Sequence, residues 1–176
     1  MIDTEKKPKV YISKEEIAAC VKKLAQQINR DYEGRPILLI GTLTGSIVFL
    51  ADLMRELMLD VQVDFVKLSS YMGAESSREV DAELVPSWDV SERHVIIVED
   101  IVDTGHTAAY LLKMFAEKRT ASVALCTLLD KPARREVQNI ICNYVGFSIE
   151  NQFVVGYGLD FNQKYRELPY IGVVEA

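Results

Sequence analysis

The most informative segment of this 176-residue chain reads Val95-Ile96-Ile97-Val98-Glu99-Asp100-Ile101-Val102-Asp103-Thr104-Gly105-His106-Thr107. Its first four residues form a continuous apolar run, which is typical of a strand covered on both faces in a parallel sheet. Three carboxylates follow, and they would repel one another unless a cation, a ligand rich in hydroxyls or protonation relieved the charge. Residues 104–107 then lead into a predicted helix, whose N-terminal N–H groups favour an anion such as phosphate. The segment therefore predicts a strand, an acidic turn and a phosphate-binding helix N-terminus.

Two other apolar runs end in the same way. Residues 37–40 are followed by Gly41-Thr42-Leu43-Thr44-Gly45-Ser46 and then by a predicted helix over 47–57. A predicted strand over 122–129 is followed by Asp130-Lys131-Pro132. Strands that alternate with helices predict an α/β protein with a mainly parallel twisted sheet and helices on both faces. Ligands of such sheets bind beyond the carboxyl ends of the strands. We therefore expect segments 41–46 and 99–107 to meet Lys131 at one edge.

The flanking segments complete the predicted domain. Ser13 and Glu16 form a capping-box pattern before an amphipathic helix that ends near Gly34. A strand over 61–68 precedes a polar stretch, 69–77, which predicts a mobile loop. The following alternation predicts a half-exposed strand as the second arm of a hairpin, and three short strands are expected in the tail. These segments are Val80 to Leu84, then 144–147, 153–157 and 171–174. No linker or repeat divides the chain, so residues 1–176 are predicted to form one domain.

Composition excludes several classes of function. A net charge of −6 and a pI near 5.0 argue against a general nucleic-acid binder, which needs a basic surface. No apolar run approaches the roughly 20 residues that cross a bilayer, and the N-terminus lacks the apolar core of a secretory signal. Cys126 and Cys142 lie among aliphatic residues and are predicted to be buried, reduced thiols. These features favour a cytoplasmic protein that binds neither nucleic acid nor membrane.

Residues 95–107 closely resemble the binding motif for 5-phosphoribosyl pyrophosphate (PRPP) in type I phosphoribosyltransferases. Segments 125–131, 147–149, 153–160 and 165–170 are similar to the hypoxanthine-guanine branch of that family, and the likeness runs from about residue 37 to the C-terminus. The resemblance implies the type I fold, with a core over about 35–145. It also implies a small hood, built from N-terminal residues and about 146–176, and a mobile hairpin lid over about 69–82.

The same resemblance implies a glycosyltransferase of purine salvage. It would move the 5-phosphoribosyl group from PRPP to N9 of hypoxanthine or guanine, giving IMP or GMP and pyrophosphate. The implied cofactor is Mg²⁺, and the implied assembly is a homodimer or homotetramer. Alternatives are an enzyme of the same superfamily that uses xanthine, adenine, uracil or orotate, a non-catalytic PRPP-sensing regulator, and a purely structural α/β subunit.

The resemblance also implies a role for each matching position. Asp103 would be the general base beside N7 of the purine, and metal would be held near Glu99, Asp100 and Asp160. Lys131 would read the 6-oxo group, since an ammonium donor favours an oxo acceptor over an amino group. The remaining positions form four sets: PRPP and nucleotide (Glu99, Asp100, Asp103, Thr104, Gly105, His106, Thr107); purine (Lys131, Phe153, Val154, Asp160); pyrophosphate (Leu43, Thr44, Gly45, Arg166); and lid (Ser70, Tyr71).

Two positions depart from the family pattern. His106 stands where Lys, Asn or Arg is expected, and Thr44 stands where a basic residue is common. A cradle of backbone amides tolerates the first change, so His106 is interpreted as a bystander. In the family, the peptide bond at the position of Leu43 and Thr44 can be cis. His94 lies in no recognisable motif, and the sequence predicts no interaction partner for it.

Overall fold

A twisted sheet forms the centre of the computed structural model, which describes residues 7–72, 78–84, 86 and 89–174, with backbone alone for 69–72 and 78–84. In chain order the elements are β1 (Lys9–Ile12), α1 (Lys14–Asp31), β2 (Ile37–Leu43), α2 (Ile47–Glu56), β3 (Val61–Met72), β4 (Arg78–Leu84), β5 (His94–Val102), α3 (His106–Ala116), β6 (Ser122–Asp130), β7 (Tyr144–Ser148), β8 (Val154–Val155) and β9 (Ile171–Val173). Within these residues the main sheet has the order β4-β3-β2-β5-β6-β7. All neighbours are parallel except β3 and β4, which confirms the mainly parallel sheet.

Helices cover both faces of this sheet, as predicted. On β5, Ile96 and Val98 belong to the core that α1 and α2 share with the sheet, whereas Val95 and Ile97 belong to the core under α3. Successive side chains of a strand point to opposite faces, so a continuous apolar run is what a doubly covered strand requires.

The first helix begins at the predicted capping box. The Ser13 hydroxyl accepts a hydrogen bond from the Glu16 amide at 3.2 Å, and the Glu16 carboxylate accepts one from the Ser13 amide at 2.8 Å. The helix ends at Asp31, and Gly34 follows in the left-handed region at φ 69°. Both ends of α1 therefore agree with the sequence.

Several strands are longer than predicted, and β2, which was predicted over 37–40, continues to Leu43. The interpretation of 69–77 as a loop is wrong for residues 69–72, because pairing with β4 extends β3 to Met72. Residues 73–77 lie outside the described residues. Similarly, β5 continues beyond Val98 to Val102, because β6 pairs with it as far as Asp130. Glu99 and Asp100 consequently lie inside the strand and not after it, which accounts for their burial.

A second, three-stranded sheet has the antiparallel order β1-β9-β8 and lies outside the main sheet. The sequence did not predict β1. The predicted strand over 153–157 shortens to β8, because Gly156 and Tyr157 have positive φ values of 98° and 50° and turn the chain. Among the described residues, none of the helices has the length and apolar character needed to span a membrane.

The three cysteines are free thiols. Cys126 is fully buried in β6, as predicted, and burial raises the pKa of its thiol above the ordinary range. Cys142 is only half-buried, which corrects the prediction, because it belongs to the surface connection that precedes β7.

Candidate active site

The three polar segments of the sequence lie at the carboxyl ends of neighbouring parallel strands, and residues 41–43 and 99–102 belong to the strands themselves. β2, β5 and β6 lie side by side, with Gly41 opposite Val98 and Val102 opposite Asp130. Their carboxyl ends point the same way, so the turn after β2, the acidic turn after β5 and Lys131 share one edge of the sheet. The Leu43-Thr44 peptide in the first of these turns is cis.

Glu99 is the most deeply buried acid at this edge, with 4% of its surface exposed. Its Oε2 accepts a hydrogen bond from the Thr42 hydroxyl at 2.5 Å, whereas Oε1 is buried without a hydrogen-bond partner among the described residues. Burial, reinforced by the charge of Asp100, raises the pKa of Glu99 to about 8. A buried carboxyl with one unused oxygen is suited to a hydroxyl donor or a cation.

We expect Glu99→Gln to stabilise the ligand-free protein in a pH-dependent way. Because the folded-state pKa is raised from 4.5 to about 8, the folded protein holds a proton that the unfolded chain releases. Wild-type stability therefore falls as pH rises between these values, and Gln avoids this cost. The gain in free energy of unfolding should be about 1–3 kcal/mol at pH 7 and should vanish below pH 4.5.

Urea denaturation of both proteins across this pH range measures the difference. Glu117→Gln, which changes an exposed glutamate on the far end of α3, is the matched control and should show no such trend. A constant difference between wild type and Glu99→Gln from pH 4.5 to pH 8 would contradict the raised pKa.

Asp100 faces the turn after β2. A Cβ atom added to Gly45 would lie 1.7 Å from the Asp100 Oδ2, and one added to Gly158 would lie 2.0 Å from the Gly45 carbonyl oxygen. Three segments therefore meet here with no room for side chains at the two glycines. Burial raises the pKa of Asp100 to about 6, against the opposing influence of backbone hydrogen bonds and of Arg166.

Asp103 and Lys131 contact one another across the ends of β5 and β6. The Lys131 Nζ lies 3.9 Å from the Asp103 Oδ2, and the backbone amide of Lys131 donates to the Val102 carbonyl at 3.0 Å. Lys131 is 6% exposed, so its side chain is buried at this edge and is not a solvated surface charge. Burial lowers the pKa of its ammonium group, while Asp103 opposes that shift. Arg134 donates from Nε to the other Asp103 oxygen at 3.0 Å.

The turn after Asp103 forms the N-terminus of α3. Gly105 is the N-cap at φ 93°, a conformation that side-chain-bearing residues rarely adopt. A small cavity of about 100 Å³ lies beside it and is lined by Glu99, Ile101, Val102, Asp103, Thr104, Gly105, Thr107 and Ala108. The predicted bystander His106 has a partner, since its Nε2 lies 3.0 Å from the Glu136 Oε2.

Arg166 and Asp160 form an ion pair at 2.8 Å near the Gly45 turn. Arg166 also donates to the Gly158 carbonyl oxygen at 2.6 Å, and Asp160 accepts from the Gln163 amide at 2.8 Å. Both side chains are about one-quarter exposed. The pair can therefore reach a ligand at the open side of Gly45 and Asp100, to which it is electrostatically linked.

Phe153 is 49% exposed and therefore does not belong to the hydrophobic core. Its ring meets that of Phe161 edge to face, with centroids 5.6 Å apart. The neighbouring Val154 is 5% exposed and belongs to β8. An open aromatic face beside a fixed strand backbone suits a planar ligand.

Ser70 and Tyr71, the predicted lid residues, lie in β3, where they pair with Val80 and Glu79. Their side chains lie outside the described residues. His94, which had no predicted partner, contacts Ser122 at 2.8 Å and the ring of Tyr32, far from the site edge.

Sequence reasoning missed three polar residues that support the site: Thr42, Arg134 and Arg135. Thr42 lies near the carboxyl end of β2, but nothing in its spacing indicates a bond to Glu99 on the adjacent strand. The two arginines follow Pro132 in a short 3₁₀ turn, Pro132–Arg134, and its exit. A signal was available in their adjacency to Lys131, although a pair of arginines on a polar connection is usually solvated.

A family model for the phosphoribosyl transferase domain matches residues 11–162. The match includes the main sheet and all three segments at its edge. The fold and the site thus define a domain that handles a phosphoribosyl group.

Comparison with named relatives shows which branch of the phosphoribosyltransferases this chain resembles. A hypoxanthine-guanine phosphoribosyltransferase of Streptococcus pneumoniae is 46% identical over 168 residues, which is 95% of this chain and 93% of that protein. The hypoxanthine phosphoribosyltransferase of Escherichia coli K12 is 44% identical over 94% of both chains. A crystal structure of a hypoxanthine-guanine phosphoribosyltransferase from Bacillus anthracis, with a HEPES molecule in its active site, superposes with a TM-score of 0.89 at 42% identity and covers 95% of this chain and 96% of that one. The chain therefore belongs to the hypoxanthine-guanine branch of the phosphoribosyltransferase family.

Proposed function

We propose that this enzyme transfers the 5-phosphoribosyl group of PRPP to N9 of hypoxanthine or guanine, giving IMP or GMP and pyrophosphate in purine salvage. The observation that carries the proposal is the contact between buried Lys131 and Asp103, 3.9 Å apart, next to the amide-rich turn of α3. Lys131 would donate to an oxo group, Asp103 would accept a proton, and the turn of α3 would bind an anion, and these three groups are neighbours.

The ribose ring of PRPP would lie over the edge between Glu99 and Gly105. The small cavity beside Thr104 and Thr107 would take the 5-phosphate, because helix N-terminal amides favour an anion. His106 would lie at the rim, and the unpartnered Oε1 of Glu99 would accept a hydrogen bond from a ribose hydroxyl.

Pyrophosphate would lie at the other side of this edge. The backbone of Leu43, Thr44 and Gly45 would supply amides, and Arg166 would supply a positive charge. Thr44 stands where a basic residue is common, so Arg166 would carry more of the recognition.

The acids fit a divalent cation that arrives with the substrate. Among residues 7–72, 78–84, 86 and 89–174, no group of three or more acidic, His or Cys side chains forms a ready-made metal cage. Mg²⁺ is usually held by one or two carboxylates together with substrate phosphates, and the raised pKa values of Glu99 and Asp100 mark carboxyls that gain from a nearby cation. Glu99, Asp100 and Asp160 would hold it, and it would neutralise charge on the leaving pyrophosphate.

The purine would lie between Phe153 and the Lys131–Asp103 pair. Phe153 would stack on the ring, the Val154 backbone would meet its edge, and Asp160 would lie near the 2-substituent. The bond between C1 of the ribose and pyrophosphate breaks, the bond from C1 to N9 forms, and the purine proton passes to Asp103. A hairpin lid that includes Ser70 and Tyr71 would exclude water from the sugar cation.

Steady-state assays with PRPP, Mg²⁺ and a set of bases test this proposal. We expect turnover with hypoxanthine or guanine and none with adenine, uracil or orotate. Xanthine is the second candidate, because Lys131 would read the 6-oxo group that it shares. Binding of PRPP without turnover of any base would overturn the proposal in favour of a regulator.

The resemblance also implies a homodimer or homotetramer. Sedimentation of the purified protein would measure this assembly.

A further inference from the structure

The connection after β6 wraps around the turn that begins α3. The backbone amides of Glu136 and Val137 both donate to the carbonyl oxygen of Thr104, at 2.9 and 3.1 Å. The outer side of this turn is therefore bonded to a segment that lies about thirty positions later in the chain.

Arg135 adds a side-chain bond to the same outer side. Its Nη1 donates to the Asp103 carbonyl oxygen at 3.2 Å, and its Nη2 donates to the carboxylate of Asp130, the last residue of β6. Both side chains are about 15% exposed, at 15% and 14%. A Cβ atom added to Gly105 would lie 3.0 Å from the Arg135 Cδ, so the arginine stem also packs against the turn. One guanidinium thus ties the turn to the end of β6.

These bonds fix the direction of two amides. In a trans peptide the carbonyl oxygen and the N–H point to opposite sides. The Asp103 carbonyl oxygen points to Arg135, so the Thr104 N–H points away from it. The Thr104 carbonyl oxygen points to the amides of Glu136 and Val137, so the Gly105 N–H also points away. Thr104 and Gly105 both line the small cavity beside α3, so we expect these two donors to face it.

We infer that Arg135 is a positioning residue for the phosphate site, acting through the Asp103–Thr104 peptide and not through contact with the ligand. The inference rests on the proposed function in one respect, that the anion of this site is a ribose 5-phosphate. Arg134 differs, because it meets the carboxylate of Asp103 and so affects the candidate base.

The test compares Arg135→Lys, Arg135→Met and the double variant Asp130→Asn/Arg135→Met with wild type. Arg135→Met alone would leave the largely buried carboxylate of Asp130 without its cation, which destabilises a protein. The double variant removes this charge as well, so we expect it to fold without the Arg135 bonds. Lys113→Met changes an exposed cation on α3 and is the control. Thermal unfolding confirms that each protein is folded, and calorimetry measures the Kd of ribose 5-phosphate, a probe that has the phosphate but no base.

We expect the Kd of ribose 5-phosphate and the KM for PRPP to rise about 10–100-fold in the variants without a cation, while the KM for hypoxanthine changes less than about threefold. Lys should recover part of the loss, since it keeps the bond to Asp130 but cannot form both bonds in the geometry of a guanidinium.

Two results would overturn the inference: unchanged affinity for ribose 5-phosphate in a folded variant, or equal losses for ribose 5-phosphate and hypoxanthine, which would indicate a general structural role. The two ideas can fail separately. If wild type binds ribose 5-phosphate more tightly than the Arg135 variants but transfers the phosphoribosyl group to no base, the inference stands and the proposed function is wrong.

Discussion

Replacement of Asp103 by Asn should lower kcat about 10²–10⁴-fold, the usual contribution of a positioned general base. The amide keeps the shape of the carboxylate and an oxygen that can accept from Arg134, whose Nε lies 3.0 Å away. It cannot accept the purine proton. Because Asp103 reaches the phosphate turn through its backbone, the KM for PRPP should change less than about threefold.

Steady-state and single-turnover kinetics separate these effects. Glu117→Gln, a change of an exposed acid directly after α3, should leave both constants unaltered. Equal losses in kcat and in PRPP affinity would show that Asp103 binds substrate and would remove its role as base.

Replacement of Lys131 by Ala should erode the preference for hypoxanthine over adenine by up to about 10⁴-fold in kcat/KM, because a site built to hydrogen-bond one substrate group can discriminate by about 10⁴ or more. Lys131 is 6% exposed, so its ammonium group is fixed by its surroundings at the end of β6. With the donor removed, neither a 6-oxo nor a 6-amino group meets a specific partner, and most of the change should be lost activity with hypoxanthine.

Lys131→Met is the matched variant, because it fills nearly the same volume without a charge. If Ala and Met give the same loss of discrimination, the effect is due to the donor and not to a cavity. Unchanged discrimination against adenine in both variants would refute the assignment of Lys131.

Much of this fold could be predicted because local pattern and tertiary environment agree. The run Val95 to Val98 is apolar on both sides, and the structure covers both sides of β5. The capping box at Ser13 places the start of α1 within one turn by local hydrogen bonds alone. Strand ends were less predictable, since β3 and β5 extend for as long as their neighbours supply hydrogen bonds, which a single segment does not reveal.

The residues of the candidate site also differ in how far the sequence could predict them. Glu99, Asp103 and Lys131 could be proposed because each follows or ends a predicted strand, and parallel strands bring their carboxyl ends together. The bond from Thr42 to Glu99 joins two strands whose adjacency no local pattern encodes. Arg135 was missed for a related reason, since its two partners lie in different segments, at the end of β6 and in the turn after β5.

We propose that the acids inside β5 and the amides at the start of α3 together hold a phosphorylated sugar. Calorimetric titration of PRPP in the presence of Mg²⁺, with wild type and with the double variant Glu99→Gln/Asp100→Asn, tests it directly. We expect saturable binding at one site per chain and a loss of affinity of at least about 10-fold in the double variant. Absence of PRPP binding by the wild-type protein, or equal affinity in the two proteins, would contradict the claim.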